Sequence, residues 1–149
     1  MAILDLCDKE IAAVSPASSV AEAIRLMLAH RVGAVAVVDA GRVVGVFTER
    51  DVLRKLVLSG RDPEEIPVRQ MMTSPVETAS PETTSGEALV SMLQHHFRHL
   101  PVVDPSGKLL GVLSIRDLLH GQMEELRRQL DSLEEYVASE GPGVIRARD

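Results

Sequence analysis

Gly45-Val46-Phe47-Thr48-Glu49-Arg50-Asp51 decides the fold, because it occurs a second time as Gly111-Val112-Leu113-Ser114-Ile115-Arg116-Asp117. In both copies an apolar run meets a hydroxyl residue, and an acid follows three positions later. Working outward, Val37-Val38-Asp39 returns as Val102-Val103-Asp104, His30 as His95, and Met27-Leu28 as Met92-Leu93. Glu22-Ala23 returns as Glu87-Ala88 and Ser15-Pro16 as Ser80-Pro81, all at one constant offset. A repeat this long exceeds the roughly 20–50 residues of solenoid units, so it reads as a duplicated subdomain. Two such halves, packed about a pseudo-two-fold axis, would bring their corresponding polar ends into clefts at the junction.

Each half reads as strand, helix, strand, strand, helix. Ser19-Val20-Ala21-Glu22 and Thr84-Ser85-Gly86-Glu87 have the form of capping boxes. Behind the first, Val20, Ala23, Ile24, Met27 and Leu28 share one helical face; behind the second, Ala88, Leu89, Met92, Leu93 and Phe97 repeat the pattern. Ala34 to Val38 is short and mostly β-branched, as expected of a strand covered on both faces. With the turn Asp39-Ala40-Gly41-Arg42 and the run Val43 to Phe47 it predicts a hairpin. Leu100 to Val103, Asp104-Pro105-Ser106-Gly107 and Lys108 to Leu113 predict another. A further helix beginning at Thr48 carries Val52, Leu53, Leu56 and Val57 and stops at Gly60. Arg61 to Gln70 reads as the connection. The expected fold class is α+β, two β-α-β-β-α subdomains with helices covering the sheets.

Composition narrows function. The chain has 149 residues, and its formal charge of −6 argues against general nucleic-acid binding, which needs clustered cations. Phe47, Phe97 and Tyr136 are the aromatics, too few for base-stacking platforms. The lone Cys7 precludes an internal disulfide and suits a reducing compartment. Lying near the chain start, it is expected in a mobile segment. With neither a signal-peptide pattern nor an apolar run of about 18 residues, the expectation is a cytoplasmic protein with no membrane partner.

At this level of detail the chain resembles a tandem pair of cystathionine-β-synthase-type (CBS) domains, a Bateman module. The resemblance rests on Val35 to Asp39 with Gly45 to Asp51, on Leu100 to Asp104 with Gly111 to Asp117, and on Met71-Met72-Thr73 followed by Val76 and Thr78. It implies CBS-like units over residues 5–66 and 67–121, with an amphipathic helix and loose tail over 122–149. It further implies a stand-alone module that binds an adenosyl ligand (AMP, ADP, ATP or S-adenosylmethionine), requires no cofactor and associates as a homodimer.

The repeated Thr48-x-x-Asp51 and Ser114-x-x-Asp117 admit two readings. A carboxylate can accept both vicinal hydroxyls of a ribose, and a hydroxyl beside free helix N–H groups suits phosphate. The same spacing is also a capping box, in which the acid satisfies its own helix. The resemblance favours ribose contact. It implies one site of Ala13, Val14, Gly33, Ala34, Val35, Thr48, Arg50 and Asp51, with Arg98 and His99 reaching across to phosphate. It implies a second of Thr78, Ala79, His99, Leu100, Pro101, Ser114, Arg116 and Asp117, with Arg31 as a substitute cation. The Asp51 site is expected to favour charged phosphate and the Asp117 site to be weaker, empty or suited to a less charged ligand. Arg50 and Arg116 could equally be solvated or touch a neighbouring subunit.

His95 and His99 stand four apart, a spacing open to metal, though the helix is expected to end between them. Basic groups there also compensate a helix C-terminus. Met123, Leu126, Leu130, Leu133 and Val137 form an a/d seam that either folds onto its own module or pairs with a mate. Gly141-Pro142-Gly143 ends that helix, and 144–149 are expected to be loose. Three function classes follow: a sensor of adenosine nucleotides acting on a regulated protein, a ligand-independent dimerisation or adaptor protein, and an enzyme. Catalysis fares worst, because no Gly-rich phosphate loop or nucleophile–base pair is evident.

Overall fold

The computed structural model describes residues 2–7 and 11–140; the expected tail, 141–149, lies outside them. In the first half β1 (Ala13–Val14) runs parallel to β2 (Ala34–Asp39), which pairs antiparallel with β3 (Arg42–Thr48). The order β1-β2-β3 leaves β2 central, and Ala34 to Val37 are buried. The hairpin closes on Ala40 and Gly41, both at positive φ (50° and 81°), the pair of conformations a two-residue loop needs to follow the strand twist.

Helix α2 (Val20–His30) starts at Ser19, whose hydroxyl accepts the Glu22 N–H at 3.0 Å. Glu22 makes no return bond, so this box is half formed, whereas Thr84 and Glu87 complete theirs at the head of α4 (Ser85–His95). Val20, Ala23 and Met27 pack with Val35, Val37 and Phe47 in the first core. Leu28 and its counterpart Leu93 lie on the outer edge of their stripes and are exposed. The connection also contributes to this core: Ile66 and Val68 are fully covered. Val20 donates to the Ile66 carbonyl at 2.8 Å, and Val68 donates to that of Ser18 at 2.7 Å.

Beyond Thr48, α3 (Glu49–Asp51) widens into a π-helical turn over Val52–Leu56. That wider turn changes which side chains face inward. Val52 and Leu56 pack on the core, while Leu53 and Val57, expected beside them, are exposed.

The second half repeats the hairpin as β4 (His99–Val103) and β5 (Leu109–Ser114). Its leading strand is reduced to a single parallel bridge, Ala79 to Val102. Helix α5 (Ile115–Glu140) follows β5 directly. The second core holds Ala88, Met92, Leu100, Val102, Leu113 and Leu118, together with Ile3 and Cys7. Those last two come from α1 (Ile3–Leu6) and the residue after it, at the opposite end of the chain. Cys7 is therefore packed, not in a mobile segment: its thiol donates to the Ile3 carbonyl at 3.4 Å, and burial, with Asp117 adding, pushes its pKa up to about 11. Among the described residues no helix is long and apolar enough to cross a membrane.

Candidate functional site

Two clefts open at the junction of the halves. Asp51 borders one of about 580 Å³, and Asp117 borders one of about 1130 Å³. Gly33, at the mouth of central strand β2, lines both, as do His99, at the start of β4, and its neighbour Arg98.

The two acids differ in what already holds them. Asp51 closes a complete capping box. Its Oδ2 accepts the Thr48 N–H at 3.0 Å and the Thr48 hydroxyl at 3.2 Å, while its own N–H donates to Thr48 Oγ1 at 3.2 Å. Its Oδ1 accepts the Thr73 hydroxyl at 3.0 Å and lies 3.1 Å from Lys55 Nζ. Lys55 also donates to the carbonyls of Met71 and Met72 at 3.0 and 3.2 Å. Four donors occupy the roughly four lone-pair positions of a carboxylate. Asp117 has only half of this arrangement. Its N–H donates to Ser114 Oγ at 3.0 Å, yet its carboxylate accepts no hydrogen bond from any described residue and faces the larger cleft.

Of the first predicted set, the Asp51 cleft gathers Gly33, Thr48, Arg50, Asp51, Arg98 and His99. Ala34 lines the other cleft. Val35 is buried in the first core, and Ala13 and Val14 form β1; these three line neither. Of the second set, Arg31, His99, Ser114, Arg116 and Asp117 line the Asp117 cleft. Ala79, Leu100 and Pro101 are buried and Thr78 is exposed, and none of the four lines either cleft. In their place Val76 and Glu77 reach the Asp51 cleft, and Ile11 and Ala12 reach the Asp117 cleft.

The leading segments are thus exchanged between halves, for a topological reason. Central β2 separates β3, which delivers Asp51 on one side, from β1, which arrives on the other. A segment leading into β1 can only border the cleft across the strand from its own helix head.

Sequence reasoning also missed Lys55 and Thr73, the groups that occupy Asp51. Lys55 stands four residues after Asp51, the helical ion-pair spacing, where Asp117 has Gly121, so that signal was present in the sequence. Thr73 lies across the connection, and no local pattern encodes its bond. Cations surround both clefts: Arg50, Arg54 and Arg98 beside Asp51, and Arg31, Arg98 and Arg116 beside Asp117. Arg98 and His99 are therefore shared between the clefts. Arg50 also bridges the halves, donating to the His96 carbonyl at 3.3 Å. The His95 ring is held by the Ser91 carbonyl at 3.0 Å and by Glu77 at 3.4 Å, which fixes both of its nitrogens within its own half. Burial lowers the His99 pKa, and Arg98 adds to this; Glu49 and Asp117 oppose it.

A duplicated α+β unit with twin clefts at its two-fold junction defines a paired-repeat module. The chain belongs to the CBS-domain family, whose model matches residues 3–58 and 68–124. It is 36% identical over 144 residues to an uncharacterised 17.7 kDa protein of Acidianus ambivalens, covering 96% of this chain and 85% of that one. It is 35% identical to the CBS domain-containing protein YhcV of Bacillus subtilis, covering 81% and 85%. Among solved structures it resembles the CBS domain protein PAE2072 of Pyrobaculum aerophilum, complexed with AMP. That match has 29% identity and a TM-score of 0.72, over 78% of this chain and 89% of that one. Paired CBS modules are in general regulatory and nucleotide-binding.

Proposed function

We propose that this chain is a regulatory sensor of adenosine nucleotides rather than an enzyme, and that the Asp117 cleft is its principal nucleoside site. The observation that carries this is the free Asp117 carboxylate at a helix head, facing a cleft with Arg31, Arg98 and Arg116. The acid has lone pairs for a ribose diol, charge-assisted and bidentate, and the arginines match phosphate. Asp51 has the same sequence signature but can grip a diol only by releasing Thr73 or Lys55. This reverses the ranking expected from the cations alone. AMP bound to PAE2072 supports the ligand class. Binding would change how the halves sit only through unequal affinity for their two arrangements.

A second reading, a ligand-independent adaptor, draws on the exposed apolar side chains of α5. Thermal-shift measurements with AMP, ADP, ATP and S-adenosylmethionine separate the two, since a ligand of the native state raises Tm as RT ln(1 + [L]/Kd). At least one should raise Tm in wild type and in Asp51→Ala, but not in Asp117→Ala. No response to any of them at millimolar concentration would leave the adaptor.

A further inference from the structure

Helix α5 spans 26 residues, about 39 Å at 1.5 Å per residue. Its first turns pack on the module through Leu118, Gly121 and the Gln122 bond to Ser85. Farther along, Leu126 (58%), Leu130 (54%) and Leu133 (51%) are exposed, so the seam does not fold onto its own module. A helical extension of about four turns gains most of its stability from packing an apolar face, and these residues with Val137 repeat at a/d spacing.

We propose that this extension pairs antiparallel with α5 of a second copy, Leu130 packing on Leu133 and Leu126 on Val137 across the two-fold axis. The flanking charges select this orientation. Arg127 and Glu134 follow the d positions, and neither makes an ion pair with any described residue. In the antiparallel register each Arg127 meets Glu134 of the second copy, giving two symmetric ion pairs. In a parallel pair the same two residues face Gln122 and Gln129, and no charges match. Antiparallel helices also oppose their dipoles. The surface is self-complementary, as an isologous interface requires.

The test is sedimentation equilibrium of the full chain over a range of concentrations, with circular dichroism to verify that each variant folds. Wild type should dimerise, and Leu130→Glu with Leu133→Glu should be a folded monomer. Arg127→Glu or Glu134→Arg alone should raise the dimer Kd about tenfold, the scale of two exposed ion pairs turned repulsive, and the double exchange should restore it. Under mild oxidation, mixed Leu126→Cys and Val137→Cys chains should cross-link to each other while neither cross-links to itself. A wild-type monomer at every concentration, a dimer indifferent to the two glutamates, or Leu126→Cys self-cross-linking would overturn the proposal.

Discussion

The Thr73 hydroxyl donates to Asp51 Oδ1 across 3.0 Å. This bond fastens the head of α3 to the strand-like segment that carries the chain into the second half. The same segment exchanges backbone bonds with β3, Thr73 N–H to Val46 carbonyl at 2.8 Å and Val46 N–H to Thr73 carbonyl at 3.1 Å. Lys55 adds a cation that spans Asp51 and the carbonyls of Met71 and Met72. An acid with the sequence signature of a ligand group is thereby part of the joint between the halves.

Stability should separate the two repeated acids. Asp51→Ala removes a helix cap and leaves Thr73 and Lys55 without their buried acceptor, a loss of about 2–3 kcal/mol. Asp117→Ala removes a carboxylate that accepts no bond from the described residues, and should cost less than about 1 kcal/mol. Urea denaturation of the two variants measures the difference. Equal losses would mean that Asp51 is not a structural clasp.

Arg98 borders both clefts, so it is the cation whose loss should be felt wherever phosphate binds. Arg98→Ala should weaken nucleotide binding by about 1.5–3 kcal/mol, the scale of a charged hydrogen bond, with little change in the melting temperature of the free protein. Isothermal calorimetry reads the first and a thermal melt the second. Unchanged affinity would remove Arg98 from the phosphate site.

Much of the fold is legible because its signals are local. The duplication fixes the pairing of halves, Ala40-Gly41 and Asp104-Pro105-Ser106-Gly107 mark the hairpins, and Thr84 with Glu87 marks the head of α4. In the second turn Asp104 shows why the pattern works: its Oδ1 accepts the N–H of Ser106 at 2.8 Å and that of Lys108 at 3.0 Å. Features set by distant contacts were not legible. Nothing in Ile3-Leu4-Asp5-Leu6-Cys7 says that it packs beside Gly111 and Gly121, where Cys7 and Leu6 take the space a side chain would need. Likewise, a shared Thr/Ser-x-x-Asp spacing cannot say that Thr73 occupies one acid, although Lys55, four residues after Asp51 where Asp117 has Gly121, does mark the two acids as different.

The packing of α1 gives a prediction about reactivity. Cys7 is buried, with a pKa near 11, so very little of it is thiolate at pH 8, and the thiolate is the reactive form. Ellman's reagent should label it slowly in the folded chain and rapidly in denaturant. Ile3→Ala, which empties a fully covered site in the second core, should cost about 2–4 kcal/mol and accelerate that labelling. Fast labelling of the native wild type would mean that the segment is not docked.

His99 makes both stability and binding depend on pH, with opposite signs. Burial favours its neutral form, and Arg98 reinforces this, against the pull of Glu49 and Asp117. The unfolded chain therefore binds this proton more readily than the folded one. By linkage, stability should fall as pH drops below the ordinary imidazole value of 6.5, and His99→Gln should flatten that part of the profile in urea titrations. A phosphate placed beside His99 stabilises the imidazolium and moves its pKa back up, so nucleotide binding takes up a proton. Affinity should then rise as pH falls through the same range, and calorimetry in buffers of different ionisation heat should register the uptake. In His99→Gln both the uptake and the pH dependence of affinity should be reduced to what the phosphate's own second ionisation, at about pH 6, contributes; values unchanged from wild type would place the phosphate elsewhere.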